Sequence, residues 1–249
     1  MDRELARLLR ETEPKRSARG LVVPHAGWVY SGRVAGEVYG QVRLPRLAVV
    51  LGPNHTGLGP AGSLMASGRW AVPGGEVSIA AGLAEAILAA SSVLEADELA
   101  HVREHAIEVQ LPFLRRLRPD LGFVPITLMR SDLAFCADVG RAVATAVKDW
   151  SEPVLLVCST DLNHYEPQEV SNRKDRLAID ALLSLGPERL LSTVREHRIS
   201  MCGVAPAVAA LVAVTELGAT TAELVRYETS ASVSGDYDRV VGYAGLMIP

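Results

Sequence analysis

Residues 153–159 form an almost unbroken apolar run that stops at the polar stretch Thr160-Asp161-Leu162-Asn163-His164. A run of that length without alternation fits a strand buried on both faces, and such strands belong to sheets covered by helices on either side. Two earlier runs share the design. Residues 20–24 end in Pro24-His25-Ala26-Gly27, and residues 47–51 end in Gly52-Pro53-Asn54-His55. Each is an apolar strand running into a loop punctuated by Pro and Gly, with a histidine at its end. In open α/β sheets, ligands bind beyond the carboxyl ends of the strands.

Helical spacing fills the intervals. Helices are expected at 3–11, 31–39 with Ser31 as cap, 79–90, 104–117, 131–150 with Ser131 as cap, 172–184, 187–195 and 204–217. The helix at 204–217 is apolar nearly all round, as a buried helix would be. Further strands or hairpins are expected at 63–72, 122–128, 223–231 and 240–248. Strands alternating with helices predict one α/β domain over residues 1–249, in three layers. Its central sheet should be largely parallel or mixed, with helices on both faces.

Composition narrows the function classes. The 249 residues carry a net charge of −4, which offers no basic field for nucleic acid or anionic membrane. No apolar run reaches the length of a membrane span, and residues 1–20 do not read as a signal peptide. Three cysteines, Cys136, Cys158 and Cys202, are odd in number and far apart. They fit a reducing cytoplasm better than a disulfide framework.

The chemistry concentrates at the strand ends. His25, His55 and Cys202 are three metal-ligating residue types; the plain alternative is two loop histidines and a cysteine at a helix start. Cys202 also precedes a helix, where the dipole favours a thiolate, so a nucleophilic Cys–His pair stays open. Asp161 and His164 follow the buried strand as an acid/base and orienting pair, or as turn formers. Glu104-His105 opens an expected helix, either as a cap or as part of a pocket. His101 and His197 are expected at the surface, and Cys136 and Cys158 in the core. Gly57-Leu58-Gly59-Pro60-Ala61-Gly62 matches a dinucleotide fingerprint only in letters, because Pro60 intrudes and no helix opens there.

Six motifs in order carry a family resemblance: Pro24-His25-Ala26-Gly27, Gly52-Pro53-Asn54-His55, the stretch from Glu104 to Pro112, Ser159-Thr160-Asp161-Leu162-Asn163-His164, Met201-Cys202-Gly203 and Tyr227-Glu228-Thr229-Ser230. Together they resemble the Memo family, protein B of the AmmeMemoRadiSam system. The resemblance implies the LigB-like fold of class III extradiol dioxygenases. In those enzymes two histidines and a carboxylate hold Fe(II), and in Memo proteins cysteine takes the carboxylate's place. It therefore implies His25, His55 and Cys202 as metal ligands, Fe(II) as the ion with Cu or Zn as alternatives, and Asp161 and His164 as pocket residues. Tyr30, Asn54, Glu104 and His105 complete the expected substrate pocket. Where other members often carry Ser, this chain has Asn54.

Three functions stay open on these residues. One is a non-haem metal oxidoreductase acting on a small substrate, aromatic ones included. Another is a non-catalytic metal-binding scaffold. The third is a Cys–His hydrolase using Cys202. A radical-SAM protein and an AMMECR1-like protein are the partners the resemblance implies.

Overall fold

The computed structural model describes residues 2–249. Helix α1 (Asp2–Leu8) precedes strand β1 (Gly20–Val23), helix α2 (Trp28–Gln41) and strand β2 (Leu47–Pro53). An excursion follows: β3 (Gly62–Leu64), the hairpin β4 (Arg69–Val72) and β5 (Gly75–Ile79), α3 (Ala81–Ala90) and the short β6 (Glu95–Ala96). The chain continues through α4 (Leu111–Leu117), β7 (Gly122–Leu128), α5 (Leu133–Lys148), β8 (Val154–Ser159) and β9 (His164–Glu166). Helices α6 (Gln168–Leu183), α7 (Pro187–Glu196) and α8 (Val204–Glu216) come next. Strand β10 (Glu223–Thr229), helix α9 (Ala231–Ser234) and strand β11 (Val240–Ile248) complete it.

The strands form one mixed sheet whose main path runs β10-β11-β1-β8-β2-β7-β3-β6. The four central strands, β1, β8, β2 and β7, are mutually parallel. The register pairs Val23 with Ser159 and Leu51 with Cys158, so three carboxyl ends emerge along one edge. The loops beyond them carry His25, Asp161 and His55. Antiparallel strands β11 and β3 flank the parallel block. All six residues of β8 are buried, as an apolar run without alternation requires.

Helix α8 packs across β8, β2, β1 and β7 and against α5, which in turn meets α3. The other face is covered by α2, which packs on β10, β11 and β1 and carries α1 and α4. Tyr39 of α2 stacks on Phe113 of α4 with ring centroids 5.5 Å apart, and both rings are buried. No helix among the described residues is long and apolar enough to cross a membrane.

Several local expectations need correction. The helix expected over 104–117 begins only at Leu111; a 3-10 turn at Glu108–Gln110 precedes it, residues 106–107 form a turn, and 104–105 are irregular. Pro112 explains this, because deeper inside a helix its ring would clash with the carbonyl four residues back. Helix α2 starts at Trp28, so Ser31 lies inside it and its hydroxyl donates to the Ala26 carbonyl at 2.7 Å instead of capping. Helix α5 is capped by Asp132, whose carboxylate accepts the Phe135 N–H, not by Ser131. The Pro73-Gly74 turn lies inside the β4–β5 hairpin, so residue 79 ends a strand and does not start a helix. His101 is buried with an edge of its ring against Trp70, whereas His197 is exposed. Cys136 and Cys158 are core residues.

Candidate metal centre

His25 leaves the end of β1 and is held from three sides. Asp161 Oδ1 accepts the backbone N–H of His25 at 2.8 Å and of Ala26 at 3.3 Å. The imidazole Nδ1 lies 3.0 Å from the Ser159 hydroxyl. That hydroxyl has one proton, and it goes to the Ala106 carbonyl at 2.6 Å. Gln110 Nε2 donates to Ser159 Oγ at 2.9 Å, and also to the Pro24 carbonyl. The amide is fixed in that orientation because its oxygen accepts the Tyr39 hydroxyl at 3.0 Å. Ser159 Oγ can therefore only accept from His25, which assigns the proton to Nδ1 and leaves Nε2 as a bare lone pair. Burial pushes the His25 imidazole down to about 4, against the pull of Asp161, so it is neutral at pH 7.

His55 repeats the arrangement with a charged partner. Glu104 is a buried carboxylate that takes the His55 backbone N–H on Oε2 at 2.5 Å. Its Oε1 takes the His55 Nδ1 proton at 2.9 Å and the Ala106 N–H at 3.0 Å. Burial alone would raise Glu104, but these bonds outweigh it and hold the carboxyl at about 2. The bond to Glu104 in turn raises the His55 pKa. Here too Nδ1 is the donor, so Nε2 is the nitrogen left for an ion. His105 Nδ1 lies 3.6 Å from Glu104 Oε1, and its ring stacks on His55 with centroids 5.0 Å apart. Asn54 shapes the loop: its Oδ1 accepts from Thr56 and Gly57, and its amide donates to Leu58.

His25, His55 and His105 each bring a ligand atom within 4.8 Å of the others. Cys202 stands beside this group, with Sγ 3.3 Å from His25 Nε2. The sulfur also accepts the Asp161 N–H at 3.4 Å. It gets there because residue 203 is glycine, whose N–H bonds to Thr160 Oγ1; a Cβ would fall 2.4 Å from the Thr160 side chain. Burial pushes the Cys202 thiol up to about 12, so it is protonated at neutral pH without an ion.

His164 faces the same cleft from β9. Its backbone N–H donates to Ser200 Oγ at 2.7 Å, and its Nδ1 donates to the Ser200 carbonyl at 2.8 Å. A carbonyl only accepts, so His164 also presents a bare Nε2. Ser200 is held by Asn163 Oδ1, and the Asn163 N–H is held by buried Asp175. The residue that orients His164 is thus Ser200; Asp161 fixes the His25 turn. The cleft has a volume of about 700 Å³. Tyr30, Tyr165 and Tyr243 contribute aromatic wall; His25 and Asp161 are buried, Cys202 is half-buried, and the rings of His55 and His105 are exposed. Asn54 and Glu104 do not line it; they act behind His55.

The donors fit a transition metal. Three imidazoles are a borderline set suited to Zn, Cu or Fe. Two of them have their second nitrogen tied to a protein acceptor, as metal-bound histidines usually do. Of the residues expected from sequence, the structure gathers His25, His55, Asp161, His164, Cys202, His105 and Tyr30 around one cleft. Sequence reasoning missed Ser159, Gln110 and Ser200. The first two lie inside the quoted motifs; for Ser159 the available signal was a polar residue at the end of an otherwise apolar strand.

Fold and site together define a single-domain α/β protein with a histidine-lined cleft at the carboxyl edge of a mixed sheet. The family model for Memo-like proteins matches residues 1–247. A MEMO1 family protein of Methanococcus maripaludis strain S2 is 42% identical over 238 residues, covering 92% of this chain and 83% of the relative. A MEMO1 family protein of Aquifex aeolicus is 40% identical over 238 residues, covering 95% and 88%. The chain belongs to the Memo family. A solved structure of an uncharacterized Escherichia coli K12 protein shares the fold, with a TM-score of 0.64 at 14% identity over 92% of this chain and 98% of that one.

Proposed function

We propose that the cleft is a metal-dependent oxidoreductase centre for a small, flat organic substrate. Fe(II) is the proposed resident ion, with Cu and Zn as competitors. The observation that supports this most is the shared tautomer of His25 and His55. Both rings tie Nδ1 to a fixed acceptor, which leaves Nε2 as the ligand nitrogen beside a third imidazole. His25, His55 and His105 would hold the ion, with Cys202 Sγ as the competing donor next to His25. When bound, such an ion supplies Lewis acidity and, for Fe or Cu, one-electron chemistry.

The protein's own groups supply the rest. The free Nε2 of His164 accepts a proton from a substrate hydroxyl in the cleft. Asp161 keeps the His25 backbone in place through two N–H bonds. The tyrosine wall packs against the body of the substrate. A Cys–His hydrolase is less well supported, since Cys202 at about 12 and His25 at about 4 are both neutral at pH 7 and no thiolate forms between them. A radical-SAM protein and an AMMECR1-like protein encoded alongside would place this reaction in a shared modification pathway.

Metal analysis after anaerobic purification tests the proposal. Wild type and His164→Ala should retain close to one ion per chain, and His25→Ala and His55→Ala should not. Comparing His105→Ala with Cys202→Ser identifies the third donor by which variant loses the ion. A wild-type protein that takes up no Fe, Cu or Zn at stoichiometric level would end the metal reading.

A further inference from the structure

The ribbon formed by β9 and β11 carries two irregularities at one place. Val240 pairs with Glu166 and Val241 with His164, so Tyr165 is an extra residue with no partner across the ribbon. Its φ is 60°, in the left-handed region. A bulge residue in that conformation is ordinarily glycine, because a side chain there is strained. Here the position holds a tyrosine, and the ring is 65% exposed. Backbone strain kept against a ready glycine solution points to a use for the side chain.

The ring has a visible task. The Arg239 guanidinium lies over it, 5.6 Å from the centroid, and both residues line the cleft. The two carboxylates of the wall accept backbone N–H groups and make no ion pair with Arg239. Asp161 accepts two backbone N–H groups at the His25 turn, and Asp236 accepts the N–H of Asp238. Among the described residues, the ion pairs of the molecule leave Arg239 out. A guanidinium stacked on an aromatic face keeps its edge N–H groups free, in the fork that matches two oxygens of one acid group.

We propose that Arg239, seated on Tyr165, is an anion-recognition subsite that makes the cleft selective for substrates carrying an acid group. The inference rests on the cleft being the binding site proposed above. The substrate lies with its acid oxygens on Arg239 at the mouth and its reacting end toward the histidines. Carboxylate and phosphate share this chemistry, and one guanidinium serves either.

Isothermal titration of the full-length, metal-loaded protein with benzoate, phenyl phosphate and neutral benzamide tests it, with metal content measured for every sample. At least one acid should bind, about tenfold or more tighter than benzamide. The tighter acid identifies the group. Arg239→Gln and Tyr165→Gly should each weaken that acid about fivefold or more with metal content unchanged, and Arg239→Gln should leave benzamide binding unchanged. Tyr165→Gly should also melt no lower than wild type, because it relieves the backbone. Failure of both acids to bind, equal binding of benzamide, or unchanged acid affinity in Arg239→Gln overturns the proposal. A Tyr165→Gly protein that melts lower with unchanged affinity overturns the role given to the ring. Protein without metal would end the metal reading alone, since the dependence on Arg239 is still read from the same titrations.

Discussion

Asp175 has no exposure to solvent, yet it carries a carboxyl group. One oxygen accepts the Asn163 N–H at 2.8 Å, and the other accepts the Tyr227 hydroxyl at 2.7 Å. Strand β11 presents Gly242 here because a Cβ would fall 1.9 Å from Oδ2. Burial, partly offset by the two bonds, pushes the carboxyl up from 3.8 to about 6. A rise of that size is roughly 3 kcal/mol in favour of the protonated form. The native state then binds the proton more tightly than the unfolded chain. Stability is full below the ordinary carboxylate pKa, falls by roughly 3 kcal/mol as pH rises through about 6, and is flat beyond. Asparagine keeps the shape without the charge. Its oxygen can accept from Asn163, its amide can donate to the Tyr227 oxygen, and the phenol proton can turn to Asn172 Oδ1, now 3.0 Å away. Asp175→Asn is therefore expected to be more stable than wild type at pH 8 by roughly 2–3 kcal/mol, or about 4–10 °C in melting temperature. The gain should vanish near pH 4. Urea denaturation of metal-free protein across this range measures it. A variant less stable at pH 8, or a difference that does not change with pH, would refute the reasoning.

Two further outcomes follow from the packing and the site. Ser159→Ala frees the His25 tautomer and leaves Gln110 short of one acceptor; metal affinity, measured by chelator competition, should fall about 10–100-fold. Phe113→Ala removes a buried ring that touches Tyr39 and Trp28, with centroids 5.5 and 5.1 Å away. It should cost about 3–5 kcal/mol in denaturant titration, and a loss below 1 kcal/mol would show that α2 and α4 are held by something other than this contact.

The parallel core was legible because its strands are apolar without alternation, and a histidine beyond the ends of β1, β2 and β8 told where the chemistry lies. Residues 104–110 were not legible as an irregular segment, although Pro112 stood in plain view; amphipathic spacing outweighed one proline in the reading. His105 was expected in the pocket but not among the ligands, because its approach to His55 depends on the irregular backbone there. Ser131 and Asp132 are both good caps, and only tertiary geometry chose between them. The burial of His101 depends on Trp70 across the hairpin, a contact that local charge density around residue 101 does not encode. Tyr165 at a left-handed bulge was beyond reach, since the register of β9 on β11 exists only in three dimensions.

The chain of hydrogen bonds behind His25 has a direction. Tyr39 donates to Gln110, Gln110 donates to Ser159, Ser159 donates to Ala106, and His25 donates to Ser159. Every acceptor on this path is already filled by a donor that has no other place to go. Burial also raises the Tyr39 hydroxyl well above its ordinary value, so it does not give up its proton. The interior side of the site is thus a dead end for protons: nothing behind His25 can receive one or deliver one without breaking several bonds at once. Any proton released or consumed at the histidines has to travel through the open mouth. There the partly exposed ring of His164, its Nδ1 tied to the Ser200 carbonyl, joins the exposed rings of His55 and His105 between the cleft and bulk water.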